Sequence, residues 1–267
     1  MTKLYIFWQE QDTRRWHPVG MLTRTSEGHF EFKYTRGANM VRGFVPFGRM
    51  DDLHKTYLST ELFPLFANRV LSRSRPEYQE YVRWIGAESD RYDPMLILSR
   101  TGGERATDSL LVYPKPEANE RCELDLAFLC HGIRHLPQQS IDHVGRLNEG
   151  DLLYPMLDIL NPFDGDAVGL RTADPVWFVG YVPRFFAKEI KTCIQATEPH
   201  AVRFRVARVN PDAPLQLRLL CRFTAPWPTG FQPWSEPEYQ PLVGIGAGTR
   251  HLHESRTAAH GRAKAVD

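Results

Sequence analysis

The feature that most constrains the fold is a series of short apolar segments in the second half of the chain. Each segment has the length and residue pattern of a half-buried β-strand. One helical pattern interrupts the series at 183–196, where Phe186, Ile190, Cys193 and Ile194 share a face. The predicted strands are 126–132, 150–160, 167–170, 176–182, 202–209 and 215–223. Several short strands with one inserted helix predict a small barrel of the kind that binds oligonucleotides on an open face.

The first half of the chain combines strand and helix patterns. Residues 4–7 and 16–22 are β-prone, and aromatic residues alternate with polar ones over 29–34, which predicts one buried face. Residues 60–70 carry a single apolar stripe, and a second helix is predicted to begin at Pro76. The chain is therefore predicted to be α+β, with a small N-terminal sheet with helices followed by the barrel and its inserted helix.

The chain has 267 residues, enough for two ordinary domains. A stretch with two prolines, several polar residues and no apolar periodicity is the candidate linker. Residues after 243 are rich in Gly, Ala, His and Arg, which predicts a disordered tail. The predicted organisation is an N-terminal α+β region over 1–113, a linker over 114–123, a barrel domain over 124–243 and a tail over 244–267.

The charge balance limits the classes of partner. The formal net charge is +1, which counts against a non-specific duplex binder that neutralises many phosphates. A net charge of +1 is compatible with a protein that binds a short stretch of nucleic acid or a single strand end. No stretch of about 18 apolar residues is present, and residues 1–7 do not form a signal peptide. We therefore expect a soluble, cytoplasmic protein with no membrane partner.

Signatures of catalysis, metal binding and cofactor binding are missing from the sequence. There is no phosphate-binding loop, no H-E-x-x-H and no G-x-S-x-G motif. The glycines at 244–248 are not followed by a predicted helix, and the pair His251 and His253 is more typical of a polar tail than of a metal site. The four cysteines contain no C-x-x-C pair and are predicted to be reduced core residues. No catalytic residue, metal or cofactor is predicted.

Three short blocks in the second half are more specific. They are HGIRH at 131–135, NPFD at 161–164 and VGYVPR at 179–184, with Ala167 and Val168 following the second block. In this order the blocks resemble the HIRAN domain, whose pattern is G-(V/I)-R, then N-P-(Y/F)-D-x-x-A-(I/V), then a G-(Y/H) strand end that opens a helix. The resemblance covers roughly residues 124–223. It implies a HIRAN-type modified OB-like β-barrel, a family whose best-understood members bind the 3′ end of single-stranded DNA.

The resemblance also implies a nucleic-acid-binding site. By position, Arg134 and Arg184 would contact phosphates, while Phe163 and Tyr181 would offer flat surfaces to bases. Aromatic stacking tolerates any base, and guanidinium groups bind phosphate by charge-assisted hydrogen bonds. The full predicted site is Arg134, His135, Phe163, Asp164, Tyr181 and Arg184.

Asp164 would accept a hydrogen bond from a terminal hydroxyl or a base edge. Two positions depart from the DNA-end-binding relatives: His135 stands where they have a tyrosine, and Pro183 where they have a lysine. The alternative interpretation is structural. NPFD is also an ordinary turn in which Asp164 holds the loop, and the third block would simply end a strand and start a helix.

A second candidate surface is basic. Arg203 and Arg205 alternate with apolar residues in one predicted strand, and Arg218 and Arg222 lie in the next. One face of this strand pair is thus predicted to carry four arginines. It is either a secondary nucleic-acid contact or an ordinary solvated face.

The first half of the chain resembles the small N-terminal subdomain of HipA-type kinases, without the kinase body, at residues 4–7, 19–22, 30–34 and 62–71. The leading hypothesis is a protein that binds single-stranded DNA or a 3′ DNA end, a sensor or recruiter in DNA repair or defence against mobile elements. A helicase or nuclease would be its working partner. The alternatives are a protein-interaction adaptor without a nucleic-acid ligand, an accessory subunit of a helicase or hydrolase, and, ranked last, a hydrolase in its own right.

Overall fold

The computed structural model describes residues 3–88, 92–243 and 249–251. Its strands are β1 (Lys3–Gln9), β2 (Trp16–Arg24), β3 (Phe30–Tyr34), β4 (Thr56–Ser59), β5 (Leu110–Pro114), β6 (Glu123–Leu129), β7 (Leu152–Leu157), β8 (Val168–Arg171), β9 (Phe178–Tyr181), β10 (Arg203–Val209), β11 (Leu219–Pro226) and β12 (Thr249–His251). Its helices are α1 (Arg36–Met40), α2 (Pro64–Ala67), α3 (Tyr78–Trp84), α4 (Pro94–Thr101), α5 (Gln138–Val144) and α6 (Arg184–Ala196).

The first sheet has the strand order β12-β4-β3-β2-β1-β5. Its strands pair antiparallel except β12, which lies parallel to β4. The strands predicted at 4–7, 16–22 and 29–34 are β1, β2 and β3, and of these only β3 buries alternate residues along its whole length. The mixed α/β composition of this half is as predicted.

The helix predicted over 60–70 is wrong for most of its length. Only α2 is helical, and past it Arg69 turns into the protein interior. Its guanidinium donates to the Gly103 carbonyl at 2.9 Å and pairs with Asp108. A buried guanidinium has to be hydrogen-bonded, so these contacts fix the chain in a non-helical path. The second predicted helix is α3, which begins at Tyr78, two residues after Pro76.

The second sheet has the order β6-β11-β10-β7-β8-β9 and curls into a barrel-like shape. Its two edges are joined by one bridge, in which His131 and Tyr181 exchange backbone hydrogen bonds of 2.8 Å. Gly180 makes this approach possible: its φ is 133°, and a Cβ there would lie 2.5 Å from the His131 carbonyl oxygen. The inserted helix predicted over 183–196 is α6, whereas α5 is an additional helix that the sequence pattern did not predict.

The two sheets pack together through an aromatic interface. Strand β1 is buried on both faces: Leu4 and Ile6 enter the core of the first sheet, while Tyr5 and Phe7 enter the core shared with the barrel. The Phe7 ring lies 4.3 Å from the ring of Phe185 on α6. The predicted linker starts at the last residue of β5 and ends at the first residue of β6. The division into separate domains stays a prediction.

The chain returns to the first sheet after β11. The Trp234 ring packs edge-on at 5.3 Å against Tyr5, and the Leu242 N–H donates to the Tyr34 carbonyl at 2.9 Å. This segment was predicted as part of the barrel domain. Of the predicted tail, residues 249–251 form β12, and the remainder, with the 244–248 glycines and His253, lies outside the described residues.

Candidate nucleic-acid interface

The loop between β7 and β8 is unusually apolar for a solvent-facing segment. Ile159 is 71% exposed, Leu160 88% and Phe163 84%. We call residues 158–167 the apolar loop. Single exposed apolar side chains are common, but three within five residues form a patch of the kind that marks a binding site.

Hydrogen bonds from one amide side chain fix the conformation of the apolar loop. The Asn161 Oδ1 atom accepts from the backbone N–H groups of Phe163 at 3.0 Å and Asp164 at 3.1 Å. Its Nδ2 atom donates to the Asp158 carboxylate at 3.0 Å. The exposed Phe163 ring is therefore presented by a loop that is already ordered. Sequence reasoning placed Asn161 in the second block but assigned it no role, and Asp158 was missed altogether.

The third block supports the same loop from the side. The Tyr181 hydroxyl donates to the Asp158 carboxylate at 3.0 Å, and the Arg184 Nη2 atom donates to the Phe163 carbonyl oxygen at 2.8 Å. Burial and the hydrogen bond to Asp158 raise the pKa of Tyr181, so its hydroxyl stays a proton donor at neutral pH. Arg184 thus contacts the second block directly, and Tyr181 contacts Asp158 just before that block. Each of the two side chains uses one hydrogen-bond donor to hold the loop.

Asp164 takes the structural role that was the alternative in the sequence. Its Oδ1 atom accepts from the Asp166 N–H at 3.0 Å, and its carbonyl oxygen accepts from the Ala167 N–H at 3.1 Å. These bonds close an Asx turn within the apolar loop. Contact of the second carboxylate oxygen with a ligand stays a prediction.

The first block meets the third through Gly132. A Cβ at Gly132 would lie 3.2 Å from the Tyr181 ring, and the glycine has a φ of 79°. A single 3-10 turn follows, in which the exposed Arg134 donates from Nε to the His135 Nε2 atom at 3.0 Å.

The three blocks are therefore neighbours, connected by direct contacts between the first and third and between the second and third. Phe163 is almost fully exposed, Tyr181 is half-buried, and neither ring is sealed in the core. The arrangement offers one exposed ring, one partly exposed ring and two exposed guanidinium groups on neighbouring segments.

The predicted basic face is only partly assembled. Arg205 lies opposite Arg222 in the β10–β11 register, and Arg203 shares their face. Arg222 is neutralised by a bidentate contact with Asp125. Arg218 is not on this face: it precedes β11, and its guanidinium donates to the Ala213 carbonyl at 2.8 Å. The predicted strand from 215 was wrong over its first residues, where a 3-10 turn occurs instead.

Within 3–88, 92–243 and 249–251 no group of three or more His, Cys, Asp or Glu side chains is arranged to hold a metal ion. The same residues contain no helix long and apolar enough to cross a membrane.

Comparison with known proteins gives limited similarity. No protein-family model and no curated protein sequence matches the chain. A crystal structure of a Lactobacillus plantarum protein matches with 14% identity and a TM-score of 0.29, covering 39% of this chain and 98% of that one. The HIRAN domain of human HLTF matches with 14% identity and a TM-score of 0.29, covering 40% of this chain and 80% of that one. Similarity at this level does not establish a common fold. The resemblance of the first half to HipA-type kinases has no support among these comparisons.

Proposed function

We propose that this protein binds single-stranded nucleic acid, and that it holds a strand end at the apolar loop and the adjoining Arg134 turn. The observation that carries the proposal is the exposed Phe163 ring on a loop fixed by Asn161 and Arg184. An exposed aromatic ring in a fixed loop is suited to stack on an unpaired base, because little ordering entropy is lost on binding.

The charges around the loop support a strand end as ligand. Arg134 lies in the turn after Gly132, and Arg184 lies three residues after Tyr181. Both are exposed cations, and each retains N–H donors for phosphate oxygens. Two guanidinium groups neutralise few phosphates, which agrees with the formal net charge of +1. The geometry suits one or two nucleotides better than a long duplex.

The order of the three blocks supports placing the second half in the HIRAN family, with a modified OB-like barrel. Under that assignment the preferred ligand is a 3′ end of DNA with a free hydroxyl, and a helicase or nuclease acts beside this protein in DNA repair. The contacts among the blocks agree with the assignment, since a common site requires them to be neighbours.

Fluorescence anisotropy with labelled single strands tests the proposal. We expect binding of a 5′-labelled oligothymidylate with a free 3′-hydroxyl, and weaker binding when the 3′ end carries a phosphate. Phe163→Ala should weaken binding about 5- to 150-fold, the value of one base stack. Arg134→Ala should weaken it by about 10-fold or more, because a charge-assisted hydrogen bond is lost.

Matched variants separate these effects from general ones. Met40 is 67% exposed on the first half of the chain, and Arg75 is exposed near α3. Met40→Ala and Arg75→Ala should leave the affinity unchanged. Equal affinities for wild type, Phe163→Ala and Arg134→Ala would remove the proposed site.

The exposed Ile159, Leu160 and Phe163 side chains also favour a second candidate, a protein-interaction adaptor. In that case a stoichiometric partner would co-purify through the apolar loop, and no oligonucleotide would bind at low salt. Leu160→Asp would then abolish capture of the partner, whereas under the leading proposal it would weaken oligonucleotide binding.

A further inference from the structure

The outer face of the barrel carries an exposed surface next to the apolar loop, in which Arg171 and Arg205 each use one N–H group on a backbone carbonyl. Strand β7 buries Leu153 but exposes its neighbours, with Leu152 46%, Tyr154 38% and Met156 43% exposed. Alternation along a strand places Leu152, Tyr154 and Met156 on the outer face. None of these residues belongs to the three sequence blocks.

Arginines flank the exposed side chains of β7 on both sides. Arg205 on β10 pairs with Leu152, and Arg171 on β8 pairs with Tyr154. The Arg171 guanidinium lies 5.3 Å from the centre of the Tyr154 ring, as a cation–π pair. Arg203 lies one outer-face position from Arg205, and its guanidinium has no hydrogen bond or ion pair among the described residues. We call Tyr154, Arg171, Arg203 and Arg205 the outer track.

The barrel opens beside the outer track. Strand β7 pairs with β10 only at Leu152 and Leu153 within the described part of the chain, and from Tyr154 onward it pairs with β8 alone. A groove of about 640 Å³ lies where β7 and β10 separate, and Tyr154, Ile194 and Arg203 are among the residues that line it. The groove combines apolar walls with guanidinium groups, which is the composition that an unpaired, charged strand requires.

The outer track is continuous with the proposed end site. The Phe178 ring covers Gly169, where a Cβ would lie 2.5 Å from it, and packs edge-on at 4.9 Å against Tyr181. Gly169 pairs with Tyr181 on one side and with Met156 on the other. Three strand spacings separate β9 from β10, a distance of roughly 14 Å. A ligand held at the apolar loop can therefore extend over the outer track.

The opposite boundary of the surface is mixed in charge. Beside β6, Glu120, Glu123 and Asp125 line one pocket with Arg121, Arg203 and Arg222. Asp125 pairs with Arg222, so Arg222 is not counted among the phosphate contacts, and we end the outer track at β10.

From these observations we infer that the nucleotides adjoining the bound end run across the outer track, with Tyr154 as a second stacking platform and Arg171, Arg203 and Arg205 as phosphate contacts. This inference rests on the proposed function and extends it from an end pocket to a directed single-strand path. The chemistry that the track recognises, bases and a phosphodiester chain, is common to DNA and RNA.

Length dependence of binding tests the outer track separately from the end site. Oligothymidylates of four, eight and sixteen nucleotides, with oligouridylates as a parallel series, are compared by fluorescence anisotropy. We expect the wild-type affinity to rise with length and then level off within the site size of a single OB-like barrel, about 4–16 nucleotides.

Variants of the outer track should abolish the increase of affinity with oligonucleotide length but retain tetranucleotide binding. Tyr154→Leu should lower the affinity for the longer strands about 5- to 150-fold, and Tyr154→Phe should retain it because the ring remains. The double variant Arg203→Gln/Arg205→Gln should reduce the slope of log affinity against log salt by about 1.4, since each single-strand phosphate contact contributes about 0.7. Arg75→Gln is the matched control, and thermal unfolding checks that each variant is folded.

The outcomes separate the two proposals. Affinity that is independent of length, or variants that keep the full rise, would overturn the outer track and leave the end site standing if tetranucleotide binding still depends on Phe163. Absence of binding at every length and in both series would overturn the proposed function together with the track.

Discussion

The buried carboxyl of Glu189 makes the stability of this protein depend on pH. Glu189 lies on α6, the helix that packs between the two sheets, and it is only 5% exposed. Burial raises the pKa of Glu189 to about 7 from an ordinary 4.5, and the negative charges of Glu236 and Asp166 add to the effect, opposed by Lys188. A carboxyl whose folded pKa is raised binds its proton more tightly in the native state than in the unfolded state.

The direction and size of the effect follow from this difference. Below about pH 4.5 the Glu189 carboxyl is protonated in both the folded and the unfolded state, so it does not destabilise the fold. As the pH rises from about 4.5 to about 7, the unfolded state loses this proton first and the free energy of unfolding falls. Above that range the cost levels off at about 3 kcal/mol, because each pKa unit corresponds to about 1.4 kcal/mol. Glu189→Gln keeps the shape of the side chain and removes the charge.

Urea unfolding of wild type and Glu189→Gln from pH 5 to pH 8 measures this cost. We expect the variant to gain little at pH 5 and up to about 3 kcal/mol at pH 8. Glu198→Gln, an exposed substitution just after α6, is the control and should have no such pH dependence. A stability difference that is constant across this pH range would refute the argument, because it would show that Glu189 does not change its protonation state there.

Three other outcomes are expected. Gly180→Ala should destabilise the protein by about 2–4 kcal/mol in urea unfolding, because a Cβ cannot be placed 2.5 Å from the His131 carbonyl oxygen without breaking the bridge that joins β9 to the end of β6. Asn161→Ala should cost about 1–2 kcal/mol and weaken single-strand binding more than Met40→Ala does, since two backbone N–H groups lose their acceptor; unchanged affinity would show that the loop is ordered without Asn161. The slope of log affinity against log salt should be about −3 to −4 for long single strands, because the end site and the outer track together supply about five guanidinium contacts, each contributing about 0.7. A much steeper slope would indicate a wider, less specific basic surface.

The elements with strong local patterns were predictable from the sequence. β-Propensity identified β1 and β2, and alternation of aromatic and polar residues identified β3. Short apolar segments identified most strands of the barrel, and the apolar stripe identified α6. Strand β12 had no such signal, because its three residues are ordered by pairing with β4, nearly two hundred residues earlier. The failure of the helix at 60–70 has the same origin: Arg69 is held by Gly103 and Asp108, which are distant in sequence.

The candidate site shows a similar division. Sequence blocks identified the residues that we propose contact a ligand, such as Phe163 and Arg134, because their types are those that stacking and phosphate binding require. The residues that hold the site were not identifiable in this way. Asp158 lies before the second block, and its role depends on the Tyr181 hydroxyl, which only the curl of the sheet brings within 3.0 Å. Of the outer track, only Arg203 and Arg205 were identifiable from the sequence, as arginines that alternate with apolar residues. Tyr154 and Arg171 join the outer track through strand pairing alone.

The low net charge has a physical explanation in how charges are sorted over the barrel. Net charge is a sum over the whole surface, whereas a bound strand responds to the charges within a Debye length of about 10 Å. Arg203 and Arg205 lie at the centre of the outer face, while Asp125 at the β6 edge neutralises Arg222. A locally basic path on β10 would attract phosphates to the outer track. An overall charge of +1 is therefore compatible with a specific single-strand site.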